Sequence, residues 1–397
     1  MFCNYCGASN PDNASFCNAC GKAIARPPAN VAPREEVSAK IAPPGPPEET
    51  PAAFRVIDHR VGSSPEKVRT WTGHTGSIYS LAFSPDGRWL ASGSLDKTAK
   101  LWNVSDGREL RTFTGNMVFT CVEFSPDGRW LVLAATNGSP LSDDKPPGNS
   151  ITLWDSASPG EVRNLTGHKG QVYFVKFSPD GRWLASTNGT GPINLWDVST
   201  GRIIKVLKPG WVRSKLLGGT FGSSLTFSRD GLILATRHMP AMLWDLSSGK
   251  GGNFGHEPLF SSSVSEFLGF TPDGKSLVQV NAFGAIRIWD LSTGTVARSL
   301  ADPSKTNSVQ GAALSADGSL LAVAMNSGAA EWERGEEIAL WDLAAGRILG
   351  TVAVYLCFDH MPLAFSPDGQ WLATGDMLYG GEKPAGRIRL WRTSEIR

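Results

Sequence analysis

The chain lacks any apolar run approaching the roughly 20 residues that cross a bilayer as a helix. Its opening, Met1-Phe2-Cys3-Asn4, has neither the basic stretch nor the apolar stretch of a secretory leader. Excess charge of one sign is missing too. Lys+Arg number 38 and Asp+Glu 37, so no global field draws the protein to nucleic acid or anionic lipid. Cysteine is scarce outside one place: of six, four fall in the first 20 residues, while Cys121 and Cys357 stand alone. That distribution is no disulfide framework and fits a reducing compartment, so a cytoplasmic protein is expected. Aromatic residues are absent between Phe16 and Phe54, and eight prolines crowd Pro27 to Pro51. Such a stretch buries too little apolar surface to offset ordering, and residues 25–65 are expected to form a Pro-rich disordered tether.

What is abundant is tryptophan and glycine, 14 and 44 in 397 residues. Internal repetition explains both. A Ser/Thr-x-Asp-Gly turn begins at Ser84, Ser125, Ser178, Ser228, Thr271, Ser315 and Ser366. Each is followed by a short β-prone run and then by a Leu-Trp or Ile-Trp pair ending in Trp102, Trp154, Trp196, Trp244, Trp289, Trp341 or Trp391. Turns and tryptophans alternate strictly. In the first repeat, Tyr79, Leu81 and Phe83 alternate into the turn Ser84-Pro85-Asp86-Gly87, where Pro presets φ, Asp bonds local backbone and Gly accepts a positive φ. Small residues follow at Leu90-Ala91-Ser92-Gly93, then a strand carrying Trp102, then Ser105-Asp106-Gly107 and a fourth strand. Four short strands with three turns occupy about 40–45 residues, the period of a propeller blade.

The block Gly73-His74, Phe83-Ser84-Pro85-Asp86-Gly87, Leu90 to Ser94, Asp96 and Leu101-Trp102 resembles a WD repeat. Asp155, Asp197, Asp245, Asp290 and Asp342 complete the family's Trp-Asp pair, and Asn103 and Arg392 depart from it. The resemblance implies an all-β fold over 66–397: a seven-bladed β-propeller of four-stranded antiparallel blades. It also implies that the strand preceding Gly73 completes the last blade, which otherwise ends one strand short. His74, Ser92, Asp96 and Trp102 are the matching positions of the family's structural hydrogen-bond network between inner and middle strands. Their likeness to a Ser-His-Asp triad is therefore given a structural reading, the more so because no Gly-x-Ser-x-Gly elbow flanks Ser92. Only the first repeat keeps the full set; the third has Thr190 where Asp is expected, so the other blades are expected to hold without the polar network. His238, His256 and His360 are scattered and are assigned surface or packing roles. Trp89, Trp130, Trp183 and Trp371, which follow the turns, are assigned to blade packing.

At the N-terminus, Cys3-x-x-Cys6 and Cys17-x-x-Cys20 are each followed by glycine. Two intervening residues let both thiolates of a pair reach one metal, and four thiolates suit tetrahedral zinc. Residues 1–24 resemble the miniature zinc ribbons at the N-termini of many bacterial proteins. Cys3, Cys6, Cys17 and Cys20 are expected to hold one structural Zn2+, which supplies the stability a segment of this size cannot draw from a core. A filled thiolate shell leaves no catalytic position.

Insertions at Asn137 to Asn149, Asn326 to Glu337 and Gly375 to Gly386, together with Lys208 to Gly222, fall in loops that the family places on one face. Trp and Arg are favoured hot-spot types, which makes Trp211, Arg213, Lys215, Trp332 and Tyr379 the candidate partner-binding residues. The reading is a non-enzymatic, monomeric protein–protein interaction scaffold with the ribbon as an accessory module. Nucleic acid is not expected as a partner, since only Lys22 and Arg26 are basic near the ribbon. Two alternatives stay open: a nucleic-acid-associated adaptor acting through the ribbon, and a hydrolase or lyase with its site at the central channel.

Overall fold

The computed structural model describes residues 56–57, 68–136, 150–156, 162–168, 172–187, 192–208, 225–236, 241–253, 265–281, 283–300, 309–326, 335–355, 361–378 and 385–396. The chain divides between Ala53 and Phe54, and the described residues all belong to the second unit. Its described residues are all-β and form seven antiparallel four-stranded blades, one of which takes a fifth, parallel strand. Blade one comprises Ile78–Phe83, Trp89–Ser94, Thr98–Asn103 and Glu109–Thr114, ordered from inside outward. The inner strands Ile78–Phe83, Val118–Phe124, Phe174–Phe177, Leu225–Phe227, Ser265–Phe270, Val309–Leu314 and Leu363–Phe365 touch one another in sequence, and the last returns to the first. The ring is closed.

Closure is made by strand exchange along the chain. Val68–His74 pairs antiparallel with Ala385–Arg392 and forms the outer strand of blade seven. Blade six takes a fifth strand: Val56–Ile57 runs parallel to Thr351–Val352. These two residues fall inside the stretch read as tether; apolar composition resumes at Phe54, just before them. The loop reading of blades six and seven also narrows. The ladders continue through Asn326↔Glu336 and Leu378↔Ala385, so Glu336, Glu337, Asp376 and Met377 are strand residues rather than insertion. Residues 137–149 and 209–222 lie outside the described residues.

Seven repeated turns set the register. In each, the glycine takes a positive φ near 70°, from Gly369 at 67° to Gly128 at 72°, where a Cβ would be strained. The Ser84 hydroxyl donates to Asp86 (2.6 Å) and accepts from the Trp89 amide (2.9 Å), and the same pair of bonds recurs in the other six turns. Above the turn, every blade tryptophan stands directly across from a leucine: Leu90, Leu131, Leu184, Leu234, Leu277, Leu321 and Leu372. All seven leucines and seven tryptophans are buried. Each blade thus adds its own apolar layer to the layers of its neighbours, and the core is a chain of linked clusters around the ring.

Candidate functional site

His74, Ser92, Asp96 and Trp102 meet at one place. The His74 Nδ1 lies 2.9 Å from Asp96 Oδ2, and its Nε2 lies 2.7 Å from Ser92 Oγ, which also accepts from Trp102 Nε1 at 2.8 Å. Thr98 adds a hydroxyl donation to Asp96 Oδ1 (2.6 Å). Burial works to raise the Asp96 carboxyl, but hydrogen bonds from His74 and Thr98 outweigh it and hold the group well below the usual carboxylate range. The connectivity is that of an Asp-His-Ser triad, yet the serine is 0% and the histidine 2% exposed. A nucleophile sealed in the core and already accepting an indole N–H has no path to a substrate.

The position of this cluster corrects the expectation of an inner-to-middle strand tie. His74 ends the outer strand of blade seven, while Ser92 and Trp102 belong to blade one. The network therefore bonds the closing strand to the first blade, across the seam where the ring joins. A second correction concerns the other blades. The indole N–H of Trp196 donates to Ser186 (2.7 Å), that of Trp244 to Thr236 (3.0 Å), that of Trp289 to Gln279 (2.9 Å) and that of Trp391 to Thr374 (3.2 Å). In each case the acceptor lies two residues beyond the leucine opposite the tryptophan. Blade six has Val323 there, and Trp341 Nε1 is buried without a partner. In blades three, four, five and seven the Trp half of the network thus persists without the full His/Asp half.

His168 precedes blade three as His74 precedes blade one, and neither of its ring nitrogens makes a well-formed hydrogen bond. Burial, which outweighs a contact with the Ser186 backbone, holds its pKa below the ordinary histidine value. The folded protein then binds fewer protons than the unfolded chain between that lowered value and about 6.5. Stability should accordingly fall as pH drops below about 6.5, with a shallower fall in His168→Gln. Thermal melts of both proteins from neutral to mildly acidic pH check this; parallel profiles contradict it.

Sequence reasoning missed a second inter-blade device. Arg69, Arg163, Lys205 and Arg298 occupy equivalent outer-strand positions, each opposite the residue before a blade tryptophan. Each donates to backbone carbonyls in the next blade's turn: Arg69 to Val104 (3.0 Å), Arg163 to Val198 and Ser199, Lys205 to Leu246 (2.7 Å), and Arg298 to Leu343 (3.0 Å) and Ala344 (2.7 Å). Arg111 holds the same position in blade one and stacks on Trp154 of blade two, 4.9 Å from the ring centroid. Blades four and six carry Gly252 and Gly350 there. The signal was present, since Arg111, Lys205 and Arg298 each stand four residues after a turn glycine. Arginine also covers the post-turn tryptophans: Arg69 and Arg392 lie over Trp371, Arg88 over Trp89, and Arg129 and Arg163 over Trp130.

The family profile described as WD domain, G-beta repeat matches residues 65–103, 107–145, 160–197 and 363–392. These are four stretches of a ring with seven blades. The chain carries WD repeats within a seven-bladed propeller. A zinc-ribbon domain profile matches residues 2–24. Transcription initiation factor TFIID subunit 5 of Caenorhabditis elegans is 30% identical over 203 residues, covering 42% of this chain and 30% of that protein. Nuclear distribution protein nudF of Aspergillus niger is 27% identical over 288 residues, 57% of this chain and 61% of its own length. A guanine nucleotide-binding protein subunit beta of Oryza sativa subsp. indica is 28% identical over 234 residues, 56% of this chain and 59% of that protein. The propeller thus spans less than two thirds of each of these relatives. No described helix is long and apolar enough to cross a membrane.

The four cysteines and the five candidate partner-binding residues, Trp211, Arg213, Lys215, Trp332 and Tyr379, lie outside the described residues, as do His238, His256, His360 and Thr190. Of the post-turn tryptophans, Trp130 is buried, while Trp89, Trp183 and Trp371 are half-buried against the core clusters.

Proposed function

We propose that this WD-repeat propeller is a cytoplasmic, non-enzymatic scaffold that binds partner proteins through the loops carrying Trp211, Arg213, Lys215, Trp332 and Tyr379. The observation that carries the reading is the closed ring: seven blades joined in a circle fix the strand ends from which binding loops spring. Two of the relatives are named as subunits of larger assemblies, which fits a part that works by contact. Cys3, Cys6, Cys17 and Cys20, within the stretch matched by the zinc-ribbon profile, suit one structural zinc, and the ribbon serves as an accessory binding module.

Affinity purification of the tagged full chain, beside a Trp211→Ala, Arg213→Ala, Trp332→Ala variant, tests the docking face. The wild type should recover specific partners, and the variant should lose them while its melting temperature stays unchanged. A variant that keeps every partner removes these residues from the binding surface.

A further inference from the structure

Eight large apolar side chains are exposed among the described residues, and three of them stand on a single six-residue strand. They are Ile203 (36% exposed), Ile204 (50%) and Val206 (43%), on Arg202–Leu207, the outer edge of blade three. The ladder slips beside Leu195 and Trp196, so Ile204 bulges outward, facing no residue of Ile193–Asp197. Among the described residues no further strand covers this edge. An unpaired edge rich in β-branched residues is a template for an added strand.

The molecule itself contains an example of what covers such an edge. Blade six has the other strongly apolar outer strand, Arg347–Tyr355, with Ile348, Leu349, Val352 and Val354. There Val56–Ile57, two β-branched residues, add in parallel alongside Thr351–Val352. Blade three differs in charge. Arg202, Lys205 and Lys208 lie within seven residues that include no acidic one. A second copy presenting the same strand would bring cation against cation, which disfavours self-pairing; a strand bearing carboxylates is drawn instead.

We propose that Arg202–Leu207 is a docking edge for an extended segment of a partner protein, in which β-branched and acidic residues alternate, added as a fifth strand to blade three. Main-chain hydrogen bonds supply the attachment and Ile204 and Val206 the apolar contact; Arg202 and Lys208 supply the selection against a second copy, since Lys205 is held by blade four. The strand Arg202–Leu207 contains none of the five candidate loop residues, so either surface can fail in experiment without the other.

The test uses the full chain with two synthetic eight-residue peptides, one alternating valine with glutamate and one alternating valine with lysine. Amide exchange across 202–207 should slow by about tenfold or more with the glutamate peptide and remain unchanged with the lysine peptide. The effect should weaken with added salt and vanish in Ile204→Lys, Val206→Lys, whose exposed positions leave the fold intact. Three results overturn the proposal: no slowing with either peptide, equal slowing in the double variant, or slowing that appears without peptide as protein concentration rises.

Discussion

Removing residues 66–73 lowers the melting temperature by at least about 10 °C, or leaves the protein insoluble. The deleted strand is the outer strand of blade seven, paired to Ala385–Arg392. It carries Trp71, which is buried, stacks on Trp102 with ring centroids 6.0 Å apart and packs over Gly107. It also carries Arg69, which reaches the carbonyls of Val104 and Ser105 in blade one. Losing one buried tryptophan alone destabilises by about 3–5 kcal/mol. Here that loss adds to a severed ladder, a lost inter-blade bond and a newly exposed apolar edge. In an open chain of repeats a terminal strand frays at small cost; in a closed ring it joins the first repeat to the last. A scanning melt of the truncated protein decides the matter, and an unchanged transition would show that the strand contributes little.

Asp376→Ala destabilises the propeller by about 3–5 kcal/mol, whereas replacing most exposed turn aspartates has far smaller effects. Asp376 is 0% exposed and sits between two guanidiniums: Arg387 donates to its Oδ1 (2.9 Å) and Oδ2 (3.0 Å), and Arg389 lies 2.9 Å from Oδ2. Burial pushes its carboxyl above the usual carboxylate range even against the pull of Arg389 and Arg387. Desolvation therefore outweighs the ionic attraction, and the cluster adds no net stability as built. Removing the carboxylate is another matter, because it leaves two nearly buried cations, 14% and 11% exposed, two residues apart on one strand. Chemical denaturation of the alanine variant checks the size of the effect. A loss below about 1 kcal/mol would mean that the arginines find other counter-charges.

The repeat was legible because each turn is specified three times over. Glycine supplies the positive φ, aspartate accepts local donors, and the Ser/Thr hydroxyl bridges to the next strand. Such signals are local in sequence, and seven copies make them unambiguous. Blades four to six fall outside the WD-repeat profile match, and their second strands begin with Ile233, Ser276 and Leu320 where the others begin with tryptophan. They fold alike because the leucine–tryptophan cross-strand pair survives in all of them. Strand exchange at closure was legible too, since the β-prone run before Gly73-His74 stands ahead of the first inner strand.

Which carbonyls the outer-strand cations reach was not legible. Arg69, Arg163, Lys205 and Arg298 bond residues 35 to 47 positions away, and nothing in one repeat shows which turn the next presents. The indole acceptors Ser186, Thr236, Gln279 and Thr374 were hidden for a different reason. They are chemically unlike one another, and only their common offset from the paired leucine identifies them. The hairpin extension at Asp376 and Met377 looked like insertion because polar and glycine-rich residues flank it. Burial of the Asp376–arginine cluster is what makes a strand of it.

Native-state hydrogen exchange on the closing strand is the most direct measurement. If residues 68–74 are an integral strand of the last blade, their ladder amides will exchange as slowly as those of 385–392, and both segments will open together with denaturant. Exchange of 68–74 at the rate of an unfolded peptide, beside a protected 385–392, would mean that the seven sheets do not form a ring sealed by Val68–His74.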